Sequence, residues 1–250
     1  MKTIVLFFFI FCFFELQAQE SLVLLKEAEN LERSLKENEA LDKYKQVLTL
    51  EPNNVRALVK ATELSCAIGA RIENKNDKRL QYESALAFAK RAISSDVNNA
   101  DANYAMAMAS GKMTEIETEN KKIVAFVKDT KLFADKALAI NPNHGKANFT
   151  LGRWHYEMVN LAGYKKTAVK LLYGGLPAAE LDSAIIYMEK CKQYEPYFML
   201  NYYYLNKAYK ENNRPAKQIE VLSKMSKLPV RTADDATMKA EAVKELQSLQ

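Results

Sequence analysis

Helix-ending sites recur along this chain at a regular distance. Leu50-Glu51-Pro52-Asn53, Ser95-Asp96-Val97-Asn98, Ile140-Asn141-Pro142-Asn143 and Tyr194-Glu195-Pro196-Tyr197 share one form. The step is 45 residues from position 52 to 97, 45 again from 97 to 142, and 54 from 142 to 196. A further marker, Leu228-Pro229-Val230, follows after a shorter step of 33 residues, from position 196 to 229. A repeat of this length is one supersecondary unit that cannot bury its apolar face alone, so neighbours must stack. Counting back 12, 8 and 5 places from each marker gives Ala40, Tyr44, Val47; Ala85, Ala89, Ala92; Thr130, Ala134, Ala137; and Ala184, Met188, Cys191. These 4-and-3 spacings put each triplet on one face of a helix, and the small residues in it let a second helix come close. With only 7 Gly and 6 Pro in 250 residues, a sandwich or barrel lacks its turns. The fold class is all-α.

The pattern resembles the tetratricopeptide repeat (TPR). Its second helix carries Ala, then Phe or Tyr, then Ala, then Pro at matching intervals. Its first helix, Trp-x-x-Leu-Gly-x-x-Tyr, is matched by Asn148, Leu151-Gly152 and His155, and by Tyr202, Leu205-Asn206 and Tyr209. The first repeat offers Leu24, Ala28 and Leu31. The architecture expected is a TPR-like α-solenoid of about five helix-turn-helix repeats over residues 19–250. The repeats fall near 21–54, 55–99, 100–144, 145–198 and 199–231, with a C-terminal capping helix over 232–249. Against the 34-residue TPR period, repeats two and three carry 11 extra residues each (45 less 34), about three helical turns. A helix lengthened by that amount keeps its faces in register, so both extras, which fall between first and second helix around Ile72–Arg79 and Thr114–Lys122, are expected to project from the same edge of the solenoid. The fourth repeat carries 20 extra around Leu161–Leu181, closed by a turn at Gly174-Gly175-Leu176-Pro177.

The C-terminal part is more specific. Leu151-Gly152-Arg153-Trp154-His155-Tyr156-Glu157, Lys166-Thr167-Ala168, Gly174-Gly175-Leu176-Pro177, Leu205-Asn206-Lys207-Ala208-Tyr209 and Leu228-Pro229-Val230 follow in that order. Over about residues 145–250 this resembles the regulator of microtubule dynamics family. Asn206 stands where that family has Gly, and Leu176 where it often has a second Pro. The resemblance implies a TPR-like solenoid with an interaction role, and does not by itself imply microtubules.

Lys2, the unbroken apolar run from Ile4 to Phe14 and the polar exit Glu15-Leu16-Gln17-Ala18 have the form of an export signal over residues 1–18. Eleven residues span only ~16 Å as helix, about half a bilayer, so no stable membrane span is expected. An uncut signal anchor is the alternative. The family member expected is therefore a bacterial exported one, periplasmic or extracellular. The net charge is +5, with Lys and Glu interspersed as on a solvated helix surface, which argues against nucleic acid as a partner.

No hydrolase, phosphate-loop or dinucleotide motif is present, and the chain has two histidines, His144 and His155. His155 takes the inter-helix position of a TPR Tyr. Cys66 and Cys191 fall two repeats apart, too far for a disulfide. Asn148-Phe149-Thr150 is a glycosylation sequon, and Lys121, Lys122, Lys128, Lys131 and Lys136 read as a solvated face. No enzyme, cofactor or metal site is expected.

In TPR arrays, positions 2, 5, 9 and 12 of each first helix line the binding groove. Carried over, position 5 reads Val59, Tyr104, Phe149, Tyr203; position 9 reads Glu63, Met108, Arg153, Lys207; position 12 reads Cys66, Gly111, Tyr156, Lys210. The candidate site is Tyr104, Met108, Phe149, Arg153, Tyr156, Tyr203, Lys207 and Lys210. It should be aromatic in the middle and basic toward its C-terminal half, with the Arg153 charge solvated. The function expected is an exported, non-enzymatic scaffold that takes a protein or peptide, acidic ones included. The alternative is a carrier of an anionic, partly apolar ligand such as a lipid in the same groove.

N-terminal sequencing of the protein from its native host is expected to start close to Gln19. An intact Met1 in the membrane fraction would make the chain an anchored one.

Overall fold

The structure is a computed structural model that describes residues 19–249; the export signal expected over 1–18 lies outside them. Among the described residues every regular element is a helix: α1 (19–33), α2 (Glu37–Leu50), α3 (Val55–Arg71), α4 (Lys75–Ser95), α5 (Ala100–Met113), α6 (Asn120–Ile140), α7 (Gly145–Val159), α8 (Gly163–Tyr173), α9 (Leu181–Tyr194), α10 (Met199–Glu211), α11 (Pro215–Met225) and α12 (Asp235–Ser248). They divide into two compact units at Val97 and Asn98.

Each marker ends one helix and caps the next. The backbone N–H of Glu51, Asp96, Asn141 and Glu195 closes the preceding helix onto Val47, Ala92, Ala137 and Cys191. Two residues past the marker position, the side chains of Asn54, Asn99 and His144 accept from the N–H of Ala57, Ala102 and Ala147, each at 3.0 Å. A free helix N-terminus leaves four N–H groups unpaired, and such a cap contributes about 1 kcal/mol. The fourth marker has Phe198 at that place and no side-chain cap. The carbonyls of Pro142 and Pro196 are met by equivalent positions of the following helix, Asn148 Nδ2 at 3.1 Å and Tyr202 Oη at 3.0 Å. Asn148 is thus buried and bonded to the backbone, which removes the sequon from reach of a glycan.

In the first unit α3 packs on α2 and α4. Ala40, Tyr44, Val47, Ala85, Ala89 and Ala92 have no exposed surface. In the second unit α5 packs on α6, α7 on α6 and α9, and α10 on α9 and α11, so the first helices α5, α7 and α10 also touch in sequence order. Ala134, Ala137, Ala184, Met188 and Cys191 are wholly buried, Cys191 as a free thiol. At Gly152 an added Cβ would sit 2.9 Å from Met188 Cγ and 3.0 Å from the Ala184 carbonyl oxygen, so α7 and α9 meet almost backbone to backbone.

The 11-residue extras lengthen helices, as the three-turn count allows: α4 and α6 reach 21 residues each and α3 reaches 17. Lys75–Arg79 and Asn120–Lys122 already lie inside α4 and α6. Three added turns preserve a helix's buried face, so extension satisfies the backbone without a loop. The fourth-repeat insertion forms α8, ended by Gly174 and Gly175 at φ 73° and 86°, a left-handed turn that glycine adopts without strain.

The cap α12 is tied down by one carboxylate. Glu245 accepts from Lys210 Nζ (2.8 Å) and Asn206 Nδ2 (2.8 Å) on α10 and from Gln218 Nε2 (3.1 Å) on α11. Burial alone would raise its pKa; the Lys210, Asn206 and Gln218 bonds outweigh that and hold it below the usual carboxylate value. Asn206, the departure from the family's Gly, is therefore a latch for the cap. Asp235 closes the turn before α12, accepting from the N–H of Arg231 and Thr232 and from the Thr232 hydroxyl.

Ala is a better helix former than Gly by about 1 kcal/mol in an open helix, yet Gly152→Ala is expected to destabilise here. A urea melt showing a lower midpoint for the variant checks this. A raised midpoint would mean the α7–α9 approach is looser than the backbone indicates.

Candidate functional site

Five of the eight residues expected to line the groove converge on one side chain that the repeat template passed over. Tyr204, on α10, is half-buried at the crossing of α7 and α10. Phe149 meets it edge-on at 5.8 Å and meets Phe198 edge-on at 5.0 Å. Tyr156 and Tyr203 also meet it edge-on, each at 5.8 Å. The Arg153 guanidinium lies 4.8 Å above the ring, and Lys207 Nζ lies 4.3 Å from the Tyr203 ring and 5.7 Å from that of Tyr204. Edge-to-face pairs and cations over rings each add about 0.5–1 kcal/mol beyond burial. Burial pushes the Tyr204 phenol up to about 12; the Arg153 charge opposes this and Glu157 adds to it.

The remaining residues go elsewhere. Tyr104 and Met108 form a separate cluster with Ala137 and Ala147, the Tyr104 hydroxyl lying 3.4 Å from Met108 Sδ. Tyr104 also packs on the His144 ring at 5.1 Å. The Lys210 ammonium is engaged by Glu245 on the cap. Tyr104, Phe149 and Tyr156 are buried, while Met108, Arg153, Tyr203 and Lys207 are partly exposed.

The expected basic surface is not what the chain presents. Arg153, expected to be solvated, is 31% exposed and reaches Glu157 at 3.5 Å and Glu115 at 3.9 Å. Glu211 accepts from the Tyr156 hydroxyl and, at 2.9 Å, from Asn160 Nδ2. Carboxylates therefore interleave with the cations, and the face is aromatic and close to charge-balanced. The physical reason is the ladder of first helices: α7 and α10 bring Glu157 and Glu211 to the face that carries Arg153 and Lys207. Nothing in this balance favours an anionic ligand.

His155 is a core residue. Its Nδ1 accepts the Glu180 backbone N–H at 3.2 Å, and its ring stacks on Tyr187 at 5.8 Å. Burial first, then Lys131, lowers its pKa, which keeps it neutral. Lys131 pairs with Asp135 at 2.6 Å and Lys136 lies 4.9 Å from the Phe133 ring, so these two members of the lysine series are anchored to α6 itself. Among the described residues no group of three His, Cys, Asp or Glu side chains is placed to hold a metal ion.

Tyr204 was reachable from the run Tyr202-Tyr203-Tyr204: three successive positions on a helix face three directions, so one had to point toward α7. Glu157, four residues after Arg153 on α7, carried the local i,i+4 signal, and Glu115 carried none.

Paired helices, small-residue seams and an aromatic face on the first helices define a TPR-like helical-repeat protein. The chain belongs to the regulator of microtubule dynamics family: the family profile, Regulator of microtubule dynamics protein 1-3, matches residues 24–250, well beyond the segment whose motifs suggested it. Regulator of microtubule dynamics protein 1 of Bos taurus is 24% identical over 171 residues, 68% of this chain and 53% of that protein. Protein 3 of Bos taurus is 28% identical over 171 residues, 68% of this chain and 36% of that protein. The alignments thus span about half or less of these relatives. Both are animal proteins, and they lend no support to the bacterial, exported origin expected for this chain. In fold, a thermophilic TPR protein of Thermus thermophilus superposes with a TM-score of 0.66 at 13% identity, covering 90% of this chain and 99% of that one. PilF of Pseudomonas aeruginosa gives 0.55 at 9% identity, covering 93% and 88%.

Leu151 and Arg153 are sequence neighbours with different surroundings. Leu151 is buried against Ala107 and Ala134, so Leu151→Ala is expected to cost ~2–5 kcal/mol. Arg153→Glu removes a ring contact and two ion pairs and sets a third carboxylate beside two others, with an expected cost of about 1–2 kcal/mol. Chemical denaturation of both variants checks the order. A silent Leu151→Ala would overturn the facing of α7.

Proposed function

We propose that this chain is a non-enzymatic scaffold that holds an extended or helical segment of a protein partner on the α5–α7–α10 face. The observation that carries this reading is the pair of partly exposed rings, Tyr203 and Tyr204, backed by Phe149 and Tyr156 and flanked by Arg153 and Lys207. Tyr and Arg dominate binding hot spots because they present large contact areas and few rotamers to lose. Here their rotamers are already restrained by ring contacts in the free chain, which lowers the entropy lost on binding. The face is charge-balanced, so the partner segment is recognised by its apolar and aromatic side chains with a polar rim, not by net charge. With residues 1–18 read as an export signal, the partner is sought in the exported fraction.

A photo-crosslinking residue in place of Tyr203, and separately of the exposed Ile186 on α9, tests this in the native host. Crosslinks from position 203 and none from 186 are expected. Tyr203→Ala with Lys207→Glu is expected to weaken the captured partner by about tenfold or more while the melting temperature holds. Crosslinks confined to position 186 would move the site off this face.

A further inference from the structure

The insertion helix α8 is built unlike the rest of the chain. From Met158 to Ala179 there are three lysines, Lys165, Lys166 and Lys170, and no acidic residue. No described side chain of α8 is buried. Lys166, Thr167 and Lys170 are exposed, and Leu171 beside them is 80% exposed, more than any other large apolar side chain described. Gly163 and Gly174–Gly175 bracket the helix, and the space where a Cβ would stand on each is open. Lys166 Nζ bonds the Val159 carbonyl at 3.0 Å, which holds the first turn against the end of α7. The helix packs on α6, whose first turn carries exposed Lys121 and Lys122 and no acidic residue. Of the carboxylates on neighbouring elements, Glu119 pairs with Lys122 at 2.9 Å, Asp135 with Lys131 at 2.6 Å and Glu157 with Arg153 at 3.5 Å.

We propose that α8 is a membrane-surface contact that lays Leu171 into an anionic lipid headgroup layer, with Lys166 and Lys170 on the phosphates. Two features favour a lipid surface over an acidic protein. The charge is of one sign from Met158 to Ala179. The apolar side chain beside it projects into open solvent. A basic helix with an apolar side chain lies in the interface plane, held by burial plus attraction to anionic lipid. Among the described residues no helix is long and apolar enough to cross a membrane, so the contact is peripheral. It uses neither Tyr203 nor Tyr204 and does not depend on the scaffold role proposed above.

The test is vesicle co-sedimentation of the protein purified from its host, with the N-terminus it carries there. Vesicles are phosphatidylcholine alone or phosphatidylcholine mixed with phosphatidylserine. Binding is expected only with phosphatidylserine and is expected to fall as salt rises, because screening removes the charge term. Lys166→Glu with Lys170→Glu should weaken binding by about tenfold or more, since each lysine near an anionic surface carries a comparable share. Leu171→Ser should weaken it severalfold with the lysines intact. Melting temperatures of all variants should match the parent, because these side chains are exposed. The proposal fails if the parent does not bind the mixed vesicles, or if the charge-reversed chain binds them as well as the parent. It fails equally if Leu171→Ser binds unchanged, or if polyglutamate or RNA is bound as tightly as the vesicles, since an acidic partner would then account for the charge.

Discussion

The structure depends on how closely a first helix can approach the second helix beside it. That distance is set by the triplets that precede each marker. In the second unit the wholly buried Ala134, Ala137, Ala184, Met188 and Cys191 form the seam, and at Gly152 there is no room for a single added carbon. Small residues on one face bring two helices within reach of each other's backbone, and larger ones such as Leu151, Leu205 and Leu222 then fill the space on either side. Were the seam wider, the first helices α5, α7 and α10 would not be held side by side, and the aromatic side chains they carry would not meet.

The markers serve that packing by closing the ends of the helices. A helix junction buried in an array leaves N–H and C=O groups that water cannot reach. Asn54, Asn99 and His144 answer the N–H groups, and Asn148 and Tyr202 answer the marker carbonyls. The array's exposed end needs a different device, and the chain uses one carboxylate. Glu245 collects three donors from two helices and joins α12 to both, so the cap covers the last core cluster that Leu205, Leu222 and Met225 begin. Lys210 and Asn206 are drawn into that junction and away from the groove.

The candidate face follows from the same ladder. Side chains from α7 and α10 that lie about fifty residues apart in sequence, such as Arg153 and Tyr204 or Tyr156 and Glu211, become neighbours because their helices are adjacent. Adjacency also brings the carboxylates with the cations, which is why a groove expected to be basic is charge-balanced. The insertion α8 escapes this balancing. It lies outside the ladder, packs on α6, and has no carboxylate of its own to set against its lysines.

The repeat, its helices and its seam were legible in the sequence because each is periodic. A helix face is set by spacings of three and four, and a helix end by Pro, Asn and Asp, so Ala134, Ala137, Ala184 and Leu151 announce their burial locally. His155 in the core was legible for the same reason, and the turn at Gly174–Gly175 from its glycines and the proline after them. The aromatic residues of the face were found by counting positions in a repeat. Tyr204 was not, because the template names a fixed set of positions and the crossing of α7 and α10 selects a neighbouring one. The pairing of Arg153 with Glu115 and the diversion of Lys210 to Glu245 were decided by tertiary structure alone. Each is a contact between separate elements, and no spacing along one segment records which side chains the next will bring against it.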